Sequence, residues 1–171
     1  MKGFEALSPE ERSALLHAPA LITILVGAAD GHLDGEERTW SERLLRTRTY
    51  NKPERLNEFY HLVAESFWVR VTSELAHLPA EVEARNAEIS ERLSHLNLIL
   101  AKLDPALAAA IYKGFVGLAQ ETAKASGGFL RIGAVAEMEE KWVNLPMLTP
   151  VVAPQSASEP DVWEEEKEIE D

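Results

Sequence analysis

The sequence predicts an all-α protein, a helical bundle of about seven helices in two pseudo-symmetric halves around a long central hairpin. Three observations predict it. Apolar residues recur at the three- and four-residue spacing of a helix face over long stretches. Up to Leu145, proline falls almost only where a helix would begin. No stretch alternates apolar and polar residues as a half-buried strand would.

Each element has its own signal. Ser8-Pro9-Glu10-Glu11 is a capping box with proline at the first helical position, and it starts a short helix to about His17. A second, apolar helix covers Ala20 to Ala29 and is broken by DGHLDGEE, Asp30 to Glu37. A third runs from Asp34 to about Arg48, with Trp40 and Leu44 on one side. From Pro53 to Leu78 the set Leu56, Phe59, Tyr60, Val63, Phe67, Val71, Leu75 and Leu78 keeps helical spacing. Pro79 ends that helix and opens the next, whose stripe is Ile89, Leu93, Leu96, Leu100 and Leu103. Two such stripes in succession predict an antiparallel hairpin of two long helices. Asp104-Pro105 starts a helix rich in Ala and Gly that stops at Gly127-Gly128, with Gly114 and Gly117 placed for close helix approach. A last helix spans roughly Val135 to Asn144.

Composition limits the function classes. The chain has 171 residues, 17 Lys and Arg against 29 Asp and Glu, and a net charge of −12. That excess argues against binding to nucleic acid phosphates or to an anionic lipid surface. The absence of Cys removes disulfides, iron-sulfur clusters, thiolate zinc sites and cysteine nucleophiles, and suits a cytoplasmic location. MKGFEALSPEERSALL carries acids where a secretory leader is basic, and the apolar stretch from Ala18 to Ala29 is too short to span a bilayer. A soluble protein without direct membrane insertion is expected. Organisation follows the composition: residues 1–17 form an N-terminal capping helix, 18–145 the helical domain, and 146–171 a Pro-rich and then acidic tail. Gln155 to Asp171 holds eight acids and one Lys, which predicts a disordered solubilising tail. Its large apolar side chains are Val162, Trp163 and Ile169, so it also reads as a short docking segment for a protein partner.

The two ends of the helical region echo one another. AADGHL at Ala28 to Leu33 parallels KASGGF at Lys124 to Phe129, and EERTW at Glu36 to Trp40 parallels MEEKW at Met138 to Trp142. Each copy is an apolar helix, a Gly break, then a helix that opens with Glu and reaches Trp. Repetition of such a unit predicts two pseudo-symmetric halves. AADGHLDGEE after an apolar helix, a long central hairpin, then KASGGFL and EMEEKW together resemble the TerB-like family of tellurite-resistance proteins, over Ala18 to Leu145. The resemblance implies an all-helical bundle of two similar halves, no enzymatic reaction, a role in bacterial resistance to tellurite and related chemical stress, and a metal-binding acidic motif. Asp30, Gly31, Asp34 and Glu37 fit the first family motif. In the second, Ser126 stands where an acid is expected and GGFLRIGAVA displaces Glu139 and Glu140.

The residues of DGHLDGEE support two readings. Against an EF-hand loop, Asp30, Gly31, Leu33, Asp34 and Glu37 fill the later positions, while Val26 and Ala28 stand where the first two ligands belong. Three carboxylates, Asp30, Asp34 and Glu37, then offer a hard cation an oxygen site completed by water, with Ca²⁺ or Mg²⁺ preferred over Zn²⁺. The other reading is a capped corner: Asp34 is a good N-cap, Glu37 completes a capping box, and Glu36 and Glu37 favour the first turn of a helix. Asp30 fits that corner less well, because a carboxylate closing a helix is unfavourable by roughly 0.3 to 1 kcal/mol.

Other titratable groups carry less. Glu58-x-x-His61 and Glu74-x-x-His77 look like ligand pairs of ferritin-like di-iron bundles, but 16 residues of one helix separate them, about 24 Å at the helical rise. Glu58, His61 and Glu65 paired with Glu91 and His95 lie on faces nearly opposite the apolar stripes. His32 reads as a solvated loop residue or a ligand partner. Arg43, Arg46, Arg48, Lys52 and Arg55 read as cations near a helix C-terminus or as an anion patch. The expectation is a non-enzymatic TerB-like module with a divalent-cation turn. The alternative is a structural interaction or scaffold protein with no metal site, docking a partner through its bundle surface or acidic tail.

Overall fold

A computed structural model describes residues 3–27, 54–126 and 141–153. Among the described residues every regular element is helical: α1 Pro9–Gly27, α2 Glu54–His77, α3 Val82–Ser94, α4 Leu96–Leu100 and α5 Pro105–Ser126, with a last helical turn at 141–143. The expected third helix, and most of the expected last one, lie outside the described residues. So does most of Ala28 to Trp40 and Lys124 to Trp142, the stretches that carry the internal echo.

The expected first two helices are one. Ser8 Oγ accepts from the Glu11 N–H at 3.2 Å and Glu11 Oε2 accepts from the Ser8 N–H at 2.9 Å, the reciprocal capping box read from the sequence. From there α1 passes through Pro19 without a break and crosses the boundary expected at residues 17 and 18. Proline inside a helix removes one backbone donor and crowds the carbonyls of the preceding turn, which usually stops the helix. Here an outside donor compensates. An Arg70 guanidinium N–H donates to the Leu16 carbonyl in the turn before the proline, while the buried Thr23 hydroxyl is itself satisfied by the Pro19 carbonyl at 2.9 Å. Burial adds the larger force: Leu15 and every residue from Ala18 to Gly27 are buried, as in a helix surrounded by others.

That burial makes α1 the centre of the fold. It packs along α2 and α5 and touches α3 and α4. This corrects the expected hairpin, because α2 and α3 do not line up along their lengths. The stripe predicted on α2 is buried from Leu56 to Val71, with Leu75 partly buried, but it packs along α1 and reaches α5 through Phe59 and Phe115. Phe59 is the hub, stacked on Phe4 at 5.9 Å, edge-on to Tyr60 at 5.2 Å and tilted to Phe115 of α5 at 6.4 Å. Small buried residues on α5, among them Ala108, Gly114 and Ala119, let α1 and α5 approach closely.

The second long helix is shorter than its stripe. It starts at Val82, because the Glu81 carboxylate accepts from the Glu83 and Ala84 N–H groups at 2.9 and 2.6 Å as an N-cap. It is interrupted at His95, where bonds tighten to three-residue spacing, such as Leu98 N–H to His95 O at 3.2 Å. The tighter turn keeps the stripe aligned, since Ile89, Leu93, Leu96, Leu100 and Leu103 are all buried. Asp104 Oδ1 then caps α5, accepting from the Ala106 and Leu107 N–H groups, both at 3.1 Å.

Residues 146–153 fold back against the bundle. Leu145 is fully buried at φ 47°, a left-handed conformation that costs a branched side chain roughly 1–2 kcal/mol and is offset by that burial. Leu148 is buried beyond it. The Asn97 carboxamide clamps both sides: its N–H donates to the Met147 carbonyl at 2.9 Å, and its Oδ1 accepts from the Thr149 N–H at 2.8 Å. Asn97→Ala removes both bonds, and we expect a loss of about 1–3 kcal/mol in thermal unfolding, together with faster proteolysis within residues 146–153. Unchanged cleavage in that segment would show that Leu145 and Leu148 hold it without the clamp.

Candidate functional site

Asp30, Asp34 and Glu37 lie outside the described residues, as do His32 and the side chains of Arg43, Arg46, Arg48, Lys52 and Arg55. The described part of α1 leads to them: it is buried from Ala18 to Gly27 and carries no basic residue in its last turn. In the sequence Asp30 follows the last described residue of α1, Gly27, by three positions.

The Glu and His pairs are distributed as their sequence positions suggested. Glu58, His61, Glu65, Glu91 and His95 are all exposed. Among the described residues no three His, Asp or Glu side chains converge on a point that could hold a metal. Glu74 is the exception to exposure and belongs to a different arrangement.

Glu74 anchors a polar cluster beside the Pro19 turn of α1. Arg92 of α3 holds it by two parallel bonds, Nη1 to Oε2 at 2.7 Å and Nη2 to Oε1 at 2.8 Å. This bidentate geometry holds the Glu74 carboxyl below its ordinary 4.5, against burial that pushes the other way. His17 Nδ1 of α1 lies 3.4 Å from Glu74 Oε1. Burial lowers the His17 pKa below 6.5, and Arg70 and Arg92 add to that effect while Glu74 opposes it. The imidazole is therefore neutral at pH 7 and its contact with Glu74 is not an ion pair. Arg70 completes the cluster through the Leu16 carbonyl. Four groups from three helices thus meet where proline disturbs the central helix. Every one has a partner, and the cluster joins helices. The sequence showed Glu74 and His77 as a pair, whereas His77 Nδ1 instead lies 2.6 Å from the Ser73 carbonyl oxygen.

Apolar surface is concentrated elsewhere. Ala106, Ala109, Tyr112 and Val116 of α5 face Val151–Ala153 across a trough of about 500 Å³. A smaller cavity of about 330 Å³ adjoins it, sharing Val151 and lined by Asn97, Leu100 and Pro105 among others. Val152 is 82% exposed at the margin. Volumes of this size hold a small ligand or two to three side chains of a docked segment.

No family model, curated protein or solved structure matches this chain. Its functional reading accordingly rests on its own residues. Sequence reasoning missed the trough because one wall, Val151–Ala153, was assigned to the tail; the apolar pair Val151-Val152 was the available signal.

Among the described residues no helix is long and apolar enough to cross a membrane.

Proposed function

We propose that this chain is a non-enzymatic TerB-like module of the bacterial response to tellurite and related chemical stress, which binds Ca²⁺ or Mg²⁺ through Asp30, Asp34 and Glu37. The seven-helix bundle with two similar halves, and the cytoplasmic location, belong to this reading. The observation that carries it is the setting of α1: an apolar helix at the centre of the bundle, without a basic residue in its last described turn, is followed in the sequence by Asp30, Asp34 and Glu37. Three carboxylates within eight residues of sequence repel one another wherever they meet and attract a divalent ion. An ion held at the end of the central helix is placed to report its presence to every element packed on that helix.

The test is thermal unfolding of metal-stripped protein titrated with Ca²⁺, Mg²⁺ and Mn²⁺, beside Asp30→Ala and Glu37→Ala. An ion that binds only the folded state adds RT ln(1 + [L]/Kd), which is about 2.7 kcal/mol at a hundredfold excess over Kd. We expect a rise in Tm with Ca²⁺ or Mg²⁺ that both variants lose. No rise with any of the three ions would overturn the cation reading and leave DGHLDGEE as a capped corner.

The second reading is a structural scaffold without a metal, and the apolar trough on α5 favours it. Contiguous apolar surface rimmed by polar residues marks docking sites on soluble proteins.

A further inference from the structure

We propose that the trough along α5 seats the chain's own C-terminal segment, with Val162 and Trp163 as the apolar anchors. The proposal is independent of the cation site. Four observations carry it. The trough is lined almost wholly by apolar side chains, Ala106, Ala109, Ala110, Tyr112 and Val116, with Lys113 at its edge. The chain leaves the described residues from within the trough wall itself, at Ala153.

The sequence beyond that point has the composition of an occupant. Pro154 to Asp161, PQSASEPD, is a polar spacer without a large apolar side chain, and Val162-Trp163 follows it. Eight spacer residues reach up to roughly 26 Å when extended. From Ala106 to Val116 the trough runs ten residues along a helix, roughly 15 Å. The spacer is long enough for the chain to turn back and lay the pair into the trough.

Charge gives the direction of preference. The anchor pair is flanked by Glu159 and Asp161 on one side and Glu164, Glu165 and Glu166 on the other. Lys102 is paired with Glu11 at 2.5 Å, Lys124 with Glu121 at 3.0 Å, and Lys141 lies over the Trp142 ring at 4.6 Å. Lys113 is exposed and has no ion-pair partner among the described residues. Among the described lysines, Lys113 at the trough is thus the one left for the acidic flank. Tethering makes the demand on affinity small, because a short flexible linker supplies an effective concentration in the millimolar range.

The experiment uses the full chain labelled with 5-fluorotryptophan. Four Trp are present, and Trp163→Phe assigns the fourth fluorine signal. We expect the Trp163 signal to be shifted from its position in a synthetic peptide of residues 155–171, independently of protein concentration. Lys113→Glu and Val116→Glu should each return it to the peptide position, with the first variant's helical circular dichroism unchanged because Lys113 is exposed. A wild-type signal at the peptide position, or a shifted one that neither substitution moves, overturns the proposal. A shifted signal lost on dilution overturns it too, since it assigns the trough to the tail of a second copy.

Discussion

Replacing Phe59 with Ala should lower stability by about 3–5 kcal/mol, the range for a fully buried aromatic whose cavity cannot collapse. Phe59 has no exposed surface and touches three other aromatic rings from three parts of the chain: Phe4 before α1, Tyr60 beside it on α2, and Phe115 on α5. Its removal leaves rings on opposite sides without a partner, and the helices that carry them are fixed by α1 between them. Closing the void would require α2 and α5 to shift against the central helix. The Tm should fall on the order of 10 °C for a chain of this size. Val69→Ala, about three turns along α2 at a position 73% exposed, is the control and should stay within about 0.5 kcal/mol. A loss at Phe59 no larger than at Val69 would mean that the aromatic cluster is not the centre of the core.

Local chemistry was legible in the sequence, and distant partnership was not. The α2 stripe, the Ser8 to Glu11 capping box and the Asp104 cap all depend on residues within a turn or two of one another, so their spacing alone determines them. The break expected between His17 and Ala20, around Pro19, is absent for the same reason. The local cost of the proline is real, and the compensation comes from Arg70, 54 residues from Leu16. Glu74 and Arg92 are 18 residues apart, and Asn97 and Met147 are 50. No periodicity announces such pairs. The hairpin expectation failed because two neighbouring apolar stripes were assumed to face each other, when the more apolar α1 was available to both. An all-round apolar run such as Ala18 to Gly27 is the sequence signal for a central helix, and it deserved more weight than the neighbouring stripes. The cation candidates Asp30, Asp34 and Glu37 were legible as residues, and their test is chemical.

Glu74→Ala should lower stability by about 2 kcal/mol. Two charge-assisted bonds are lost, and the Arg92 guanidinium keeps its position at the α2 and α3 contact with the more distant Glu88, at 3.9 Å, as counterion. The Arg92 side chain is 35% exposed, so water recovers part of the loss and the figure lies below that for a fully buried pair. Glu74→Gln isolates the charge and predicts a change in pH dependence. Glu74 faces Arg92, His17 and His77; His17 faces Glu74, Arg70 and Arg92. Folding lowers the pKa of Glu74, so its contribution is complete above the ordinary 4.5 and is lost as pH falls through the lower folded value. Folding also lowers the pKa of His17. The unfolded chain therefore takes up that proton first, and stability falls as pH drops below 6.5 until the folded imidazole is protonated as well. Acidification should thus weaken the protein in two steps, the upper one from His17 and the lower one from Glu74. His17→Gln should flatten the fall that begins below 6.5, and Glu74→Gln the one that begins below 4.5, in urea unfolding across pH 3 to 8. If both variants keep the wild-type acid profile, the cluster at Pro19 contributes no pH linkage, and the continuity of α1 rests on burial and the Arg70 bond to Leu16.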